Sequence, residues 1–432
     1  MIKNRIDVIT MGCSKNLIDS ERIIRRLESK GYEAVHNPEN PEGEYVVVNT
    51  CGFIADAKEE SIEMILDLSS LKDEGKIGKI VAMGCLTQRY HDDLNEELPE
   101  IDVMLGKFDW NRFVDELPDL TKSSKPKDWE REITTPPHSA YLKISEGCNR
   151  FCAFCAIPLI TGRHKSRSID EIIEETQALV AKGVKEFNVI AQDLSSYGLD
   201  LYGEHKLAEL IDRMADVKGV EWIRLHYAYP SDFPYDVLDV MARRDNVCKY
   251  MDIALQHISD TVLTNMRRHI SGKETLDLIA EMRRRVPGIK IRTTLMVGFP
   301  GEGEEEFNEL LEFVKTQKID RMGAFAYSEE DDTWAAKNLE DIVPEEEKQR
   351  RLDLLMQAQE EVYEEKNRDM IGKEVRLIVD EIDGDTRICR SQWDSPEVDM
   401  NYYVTGSDAK PGDFIMARVT GDELFEYYAE AL

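Results

Sequence analysis

The 432-residue sequence predicts an α/β multidomain protein: an N-terminal doubly wound parallel α/β domain, a central partial (β/α)6 barrel and a small C-terminal OB-like β-barrel. Three observations predict it. Val/Ile-rich runs alternate with amphipathic stretches through residues 1–120, the pattern of a parallel sheet covered on both faces. Six strand–helix units follow in a row over 140–370. Short alternating runs separated by Gly, Pro and Asp fill 371–432. The length itself calls for two or three domains.

In the first segment RIDVITMG reads as a strand and NLIDSERIIRRLESKGY as a helix ending at Gly31. EYVVVNT, KIVAMG and IDVMLG are the next strands, with a helix through EESIEMILDLSSL. Cys13, Cys51 and Cys85 each fall just after one of the first three strands. Parallel sheets build their sites at the carboxyl ends of strands, so cysteines far apart in sequence can converge there. The competing reading is packing, since free cysteine is a common small core residue. Residues 121–139, TKSSKPKDWEREITTPPHS, are polar, rich in Lys and Pro and aperiodic, as an interdomain linker would be.

In the second segment the strands are AYLKISEG, EFNVIAQD, WIRLHYAY, YMDIALQ, KIRTTLMVGFP and RMGAFAYS, separated by helical patterns such as SIDEIIEETQALVAKG. A long charged helix from VPEEEKQRR to NRDMI closes it. The barrel analogy places an active site at the strand carboxyl ends, and Cys148, Cys152 and Cys155 follow the first strand. The third segment supplies five strand-like runs, VRLIVDEI, TRICRSQW, NYYVTG, DFIMARVTG and LFEYYAEAL.

Charge and composition narrow the partners. Acidic residues outnumber basic ones, 86 to 55, for a net charge of −31, and residues 371–432 alone carry −8. Such a chain is repelled by phosphate backbones and anionic membranes, and a basic partner complements it; simple solubility is the plainer reading. The N-terminus has no apolar signal core and no apolar run is long enough to span a bilayer, so a cytoplasmic protein is expected. In a reducing compartment eight cysteines point to metal or catalysis rather than disulfides. Cys248 and Cys389 sit in apolar surroundings and read as packing residues.

The C-x3-C-x2-C spacing places three soft thiolate ligands in one short loop, suited to zinc or an iron–sulfur cluster. A closed zinc site would need a fourth ligand, and His164 is nearby. An iron–sulfur cluster on three thiolates instead leaves one iron open for a substrate or cofactor. Other candidates also lie at strand ends. Gln192 and Asp193 stand in 190-IAQDLSSYG-198, and Gly298 and Gly301 in the 298-GFPGE-302 turn, which is otherwise an ordinary Gly/Pro turn. Arg163, His164, Lys165 and Arg167 form a basic patch that could meet an acidic substrate or redox partner, or be a solvated loop.

The C-x3-C-x2-C motif after the first strand, with Phe154 before the last cysteine, resembles the radical S-adenosylmethionine (SAM) superfamily. The stretches 12-GCSKNLIDSE-21, 49-NTCGFI-54 and 84-GC-85 resemble its methylthiotransferase family, and the last segment resembles a TRAM domain. The resemblance implies a 4Fe–4S cluster on Cys148, Cys152 and Cys155 whose open iron is chelated by SAM. It implies a second 4Fe–4S cluster on Cys13, Cys51 and Cys85 that carries the sulfur to be transferred. Phe154, Gln192, Asp193, Gly298 and Gly301 would lie at SAM, although no literal Gly-Gly-Glu stands at 190–198. No catalytic residue beyond the cluster ligands is implied, because a 5′-deoxyadenosyl radical from SAM does the hydrogen abstraction.

Two branches of this family differ in substrate. The MiaB type modifies an adenosine beside the tRNA anticodon; the RimO type modifies an aspartate β-carbon of the small-subunit ribosomal protein twelve. Gripping tRNA needs a positive surface, which the −31 chain and its −8 C-terminal segment disfavour. A basic ribosomal protein, free or within the ribosome, is the better complement. The stretches 145-SEGCNRFCAFCAIPLITGRHKSR-167 and 390-RSQWDSPEVD-399 also resemble the RimO branch, with Trp393 a contact anchor or a core aromatic. The expected partners are therefore that ribosomal protein and an electron donor protein, with no membrane and no tRNA.

Overall fold

The computed structural model describes residues 1–432 and divides them into two compact units. One comprises 1–134, 146–149 and 155–163; the other comprises 135–145, 150–154 and 164–432.

The first unit is built on a parallel sheet of β1 (Ile2–Thr10), β2 (Glu33–His36), β3 (Gly43–Thr50), β4 (Lys79–Gly84) and β5 (Val103–Met104), ordered β2-β1-β3-β4-β5. The two-residue side-chain period divides the apolar runs between its faces. Ile6, Val8, Val47 and Val81 pack with the helices Ser14–Ser29 and Trp110–Glu116. Val46, Val48 and Ile80 face the helix Ala55–Asp73. Burial on both faces is why these strands read as unbroken hydrophobic runs. One strand escaped the sequence reading. EAVH of β2 is four residues long, exposed or half-buried, and at the sheet edge, so no apolar run marks it. The strand order reverses between β1 and β3, the position where open α/β sheets form ligand crevices.

Residues 121–134 have no helix or strand, as the linker composition suggested, but they are strapped onto the first helix. Arg131 is buried in an ion pair with Glu21, and the same carboxylate accepts from Thr134 N–H at 2.8 Å. Arg26 donates to Asp128 at 2.7 Å.

In the second unit, β6 (Ser139–Lys143) is followed by the two-residue strands β7 (Ser145–Glu146) and β8 (Lys165–Ser166), which bracket the cysteine loop in the sequence. Then come β9 (Glu186–Ile190), β10 (Trp222–Ala228), β11 (Val247–Ile253), β12 (Lys290–Val297) and β13 (Arg321–Ala326). The six long strands pair in parallel in the order β13-β12-β11-β10-β9-β6, joined by helices, as the partial barrel expectation requires. Caps fix where these helices start. Ser168 accepts from Glu171 N–H, and Ser271 and Glu274 form a reciprocal capping box.

The helix Glu345–Arg368 leads into β14 (Glu374–Asp383), β15 (Thr386–Ser391), β16 (Asn401–Thr405), β17 (Phe414–Glu423) and β18 (Glu426–Ala431). They close as β14-β15-β16-β18-β17 around Leu377, Val379, Tyr402, Val419 and Tyr427, leaving no open edge. This small barrel docks on the amino ends of the larger barrel's strands. Glu186, which opens β9, accepts from Arg390 at 2.7 and 2.9 Å, Arg224 at 2.9 Å and Ser139 Oγ at 2.8 Å. Arg321 donates to Asp394 at 2.7 Å, Tyr250 to Asp399 at 2.7 Å, and Trp222 meets Phe414 edge-on at 4.9 Å. The 390–399 stretch is therefore consumed in joining the two barrels. Trp393 packs against the small barrel's core, which is the core reading rather than the contact anchor. No helix is long and apolar enough to cross a membrane.

Candidate metal centres and cofactor site

The N-terminal cysteines stand on the loops that leave β1, β3 and β4, beside the switch point. Cys13 caps the first helix, its carbonyl accepting from Asn16 N–H at 2.9 Å. Cys51 directly follows β3, and its N–H donates to Ser61 Oγ at 3.0 Å. Cys85 opens the short helix after β4. Glycines let these loops close on one another. A Cβ on Gly12 (φ +83°) would lie 2.7 Å from Cys51 Sγ, and one on Gly52 2.6 Å from Leu86 Cα. Asn16, fully buried, donates its side-chain amide to the carbonyls of Met11 and Thr50 at 3.0 and 3.1 Å, tying the β1 and β3 loops together.

Cys13 is exposed at the surface, Cys51 buried and Cys85 half-buried, yet charge on one thiol bears on the others. Burial pushes the Cys85 thiol up to about 12, and negative charge on Cys13 and Cys51 adds to the rise while Lys107 opposes it. Burial likewise raises Cys51, again with a contribution from Cys13. Desolvation also acts against the Cys13 thiolate, but Lys15, the Asn16 N–H and Lys107 outweigh it and hold this thiol below its ordinary value. Lys107 is the buried cation of the centre. Its Nζ donates to Asp19 at 2.8 Å and to Asn16 Oδ1 at 3.4 Å, and Asn16 Oδ1 lies 3.6 Å from Cys85 Sγ. Sequence reasoning missed Lys107, although the Asp19 it pairs with lies in the 12-GCSKNLIDSE-21 motif.

The second set, Cys148, Cys152 and Cys155, is half-buried. Gly147 (φ +80°) lets the loop approach: a Cβ there would stand 2.2 Å from the Arg163 carbonyl oxygen. Cys148 N–H donates to the Gly162 carbonyl at 3.2 Å. Arg268 donates to Cys152 Sγ at 3.4 Å, and the Tyr229 hydroxyl lies 3.5 Å from the same sulfur. Ala153 N–H bonds the Met266 carbonyl at 2.9 Å, fixing the loop to the turn that carries Arg268. Neither Arg268 nor Tyr229 was singled out from the sequence.

The remaining predicted residues divide. Phe154 packs edge-on to Phe299 with ring centroids 6.1 Å apart, so it anchors the cysteine loop to the 298–302 turn. Gly298 (φ +74°) and Gly301 (φ +96°) shape that turn: a Cβ on Gly298 would lie 2.3 Å from Lys348 Cγ. Glu302 accepts from Gly298 N–H at 2.9 Å and from Arg351 at 2.7 Å, holding the turn rigid. Gln192 is half-buried at the end of β9. Asp193 is buried and accepts from Arg150 at 2.7 Å and Ser195 N–H at 3.0 Å, so it positions Arg150 of the cysteine loop.

The basic patch is not a patch. Arg163 and Lys165 are exposed, but His164 is buried and Arg167 is spent on Glu171 and Glu175. The His164 Nε2 is turned to Ser166 Oγ at 3.2 Å and Asp200 at 3.9 Å. No three Cys, His or carboxylate side chains gather tightly enough to cage a single metal ion. A cubane cluster asks for something different, one thiolate per iron spread around a larger core, and two sets of three soft sulfur donors suit it. Cys248 and Cys389 are buried in apolar clusters away from either set, their thiols pushed up to about 11 and about 12 by burial.

Comparison with known proteins places the whole chain in one family. The uncharacterized protein family UPF0004 matches residues 5–106, the radical SAM superfamily 142–314 and the TRAM domain 371–432. This combination defines a radical SAM enzyme, whose superfamily works with SAM and a 4Fe–4S cluster. The chain is 56% identical to the ribosomal protein uS12 methylthiotransferase RimO of Phocaeicola vulgatus over the whole of both chains. Its counterpart in Bacteroides thetaiotaomicron is 54% identical over 100% of this chain and 99% of its own, and that in Cytophaga hutchinsonii 44% over 99% and 98%. The chain belongs to the RimO family of radical SAM methylthiotransferases. The fold is shared with the radical SAM methyltransferase TsrM of Kitasatospora setae (TM-score 0.55, 15% identity, 74% of this chain and 72% of that one). It is also shared with the cobalamin-dependent radical enzyme OxsB (TM-score 0.52, 11% identity, 82% and 56%).

Proposed function

We propose that this protein inserts a methylthio group at the β-carbon of an aspartate of ribosomal protein uS12, in the cytoplasm. The observation that carries the reading is full-length similarity to RimO enzymes joined to two separate cysteine triads at strand carboxyl ends. In it Cys148, Cys152 and Cys155 hold the cluster that binds SAM, and Cys13, Cys51 and Cys85 hold the second. When bound, SAM on its cluster supplies the 5′-deoxyadenosyl radical, and the second cluster supplies the sulfur.

The chain's own residues orient and shield. Gly12, Gly52 and Asn16 close three loops around the N-terminal thiols, and Lys107 sets a buried positive charge against their negative one. Phe154 and Phe299 wall the SAM loop with apolar surface, which helps keep water from a radical site. The acidic composition suits a basic ribosomal protein, and the −8 of residues 371–432 disfavours the tRNA alternative. An electron donor protein is the second partner.

The test compares cells with and without the gene by mass spectrometry of uS12 and tRNA. A methylthio mass lost from uS12 alone supports the proposal; one lost from tRNA with uS12 unchanged refutes it. Anaerobically reconstituted protein should carry about eight irons per chain, from two four-iron clusters. Cys148→Ala should abolish SAM cleavage, whereas Cys13→Ala should spare cleavage and lose sulfur insertion.

A further inference from the structure

We infer that Arg268 is a positioning residue that sets the reduction potential of the cluster on Cys148, Cys152 and Cys155; this rests on the ligand assignment proposed above. Arg268 is 2% exposed. Its guanidinium donates to Cys152 Sγ at 3.4 Å and, through the other terminal nitrogen, to the Ala254 carbonyl. The guanidinium carbon lies 4.1 Å from the centre of the Tyr229 ring. The Tyr229 hydroxyl donates to the Arg268 carbonyl at 3.0 Å. Arg267 and His269, on either side, hold left-handed backbone angles of +57° and +53°. A turn strained at the two non-glycine positions flanking Arg268 is maintained only where its surroundings over-determine it. Here that turn delivers one cation to one ligand sulfur.

The physical consequence is directional. Reduction adds one electron to the cluster and no proton, so its negative charge grows by one. An N–H donor and a fixed positive charge at a ligand sulfur stabilise the reduced form more than the oxidised one, and hydrogen bonds to sulfur are among the main determinants of cluster potential. Burial strengthens the effect, because little solvent screens it. Arg268 thereby eases the one-electron transfer to the cluster.

The experiment uses full-length protein with Cys13, Cys51 and Cys85 replaced by Ala, reconstituted anaerobically so that only one cluster can load. About four irons per chain verifies the ligand assignment before any potential is read; absence of iron here refutes that assignment and the inference with it. The midpoint is then measured by potentiometric titration with dithionite, followed by electron paramagnetic resonance. Arg268→Met should leave about tenfold less reduced cluster at a fixed potential, a downward shift of about 59 mV for a one-electron couple. Arg268→Lys, which keeps the charge, should recover part of it. Iron-loaded Arg268→Met with an unchanged midpoint overturns the inference, and so does weaker SAM binding at an unchanged midpoint, which would make Arg268 a SAM contact. If Arg268→Met fails to load iron, Arg268→Lys and Tyr229→Phe decide. Lowered midpoints in both support the role, and wild-type midpoints overturn it.

Discussion

Replacing Glu186 with Gln strikes the joint between the two barrels at its centre. The carboxylate is fully buried and accepts four hydrogen bonds, two from Arg390, one from Arg224 and one from Ser139. Gln preserves the shape but removes the charge, and its amide must point N–H groups at a guanidinium. Arg390 keeps a second carboxylate, Asp380, at 2.6 and 2.9 Å. Arg224 does not: it is left with the carbonyls of Gln392 and Ser391 at 2.5 and 3.3 Å. Breaking a buried ion pair from one side costs about 3–5 kcal/mol, and the surviving Asp380 places Glu186→Gln at the lower end, about 3 kcal/mol. Urea unfolding followed by the fluorescence of Trp222, in β10 beside the joint, measures it. The pH dependence has a definite sign. Desolvation works against the Glu186 carboxylate, but Arg390 and Arg224 prevail and hold its pKa far below the ordinary range. The unfolded chain therefore takes up the proton first. The contribution of Glu186 is complete above its unfolded pKa of about 4.3 and is lost as the pH falls towards the folded value. The gap between wild type and Glu186→Gln should stay level from about pH 7 to 5 and narrow below about pH 4. A gap under about 0.5 kcal/mol at neutral pH, or one that widens in acid, would refute the reasoning.

Two further outcomes concern the N-terminal centre. Gly52→Ala places a methyl 2.6 Å from Leu86 Cα and 2.8 Å from the Cys85 carbonyl carbon, both backbone atoms that cannot swing aside. It should destabilise the protein by about 1–3 kcal/mol and lower iron uptake, read by thermal unfolding and iron analysis. Lys107→Met leaves Asp19 buried without its cation, a loss of about 3–5 kcal/mol, and Lys107→Arg should restore more of it than Lys107→Gln.

The strand-end placement of both cysteine sets was legible because apolar runs announce where strands end, and the cysteines stand just after those runs. The groups that surround them were not. Lys107 meets Asn16 across 91 residues and Arg268 meets Cys152 across 116, and only the fold selects such partners. The residues at 163–167 misled for the opposite reason: a sequence displays charge but not direction, and His164 and Arg167 turn inward to Asp200, Glu171 and Glu175. Asp193 was legible at its strand end, but its partners Arg150 and Ser195 N–H were not. The 390–399 stretch was distinctive in sequence because it is an internal joint. Arg390, Asp394 and Asp399 each need a specific partner on β9, β13 or β11.

The position of Lys107 bears on the order in which the protein is made. The side chains that shape the N-terminal centre, and all five strands behind it, lie within residues 2–107. At a synthesis rate of about 5–20 residues per second, this stretch is complete roughly 15–60 s before residue 432 is added. A metal that binds a folded site stabilises that site. On the ligand assignment proposed above, a chain still on the ribosome thus presents three thiols, a buried ammonium and a finished sheet to iron delivery before the central barrel exists, and birth order alone separates the filling of the two centres.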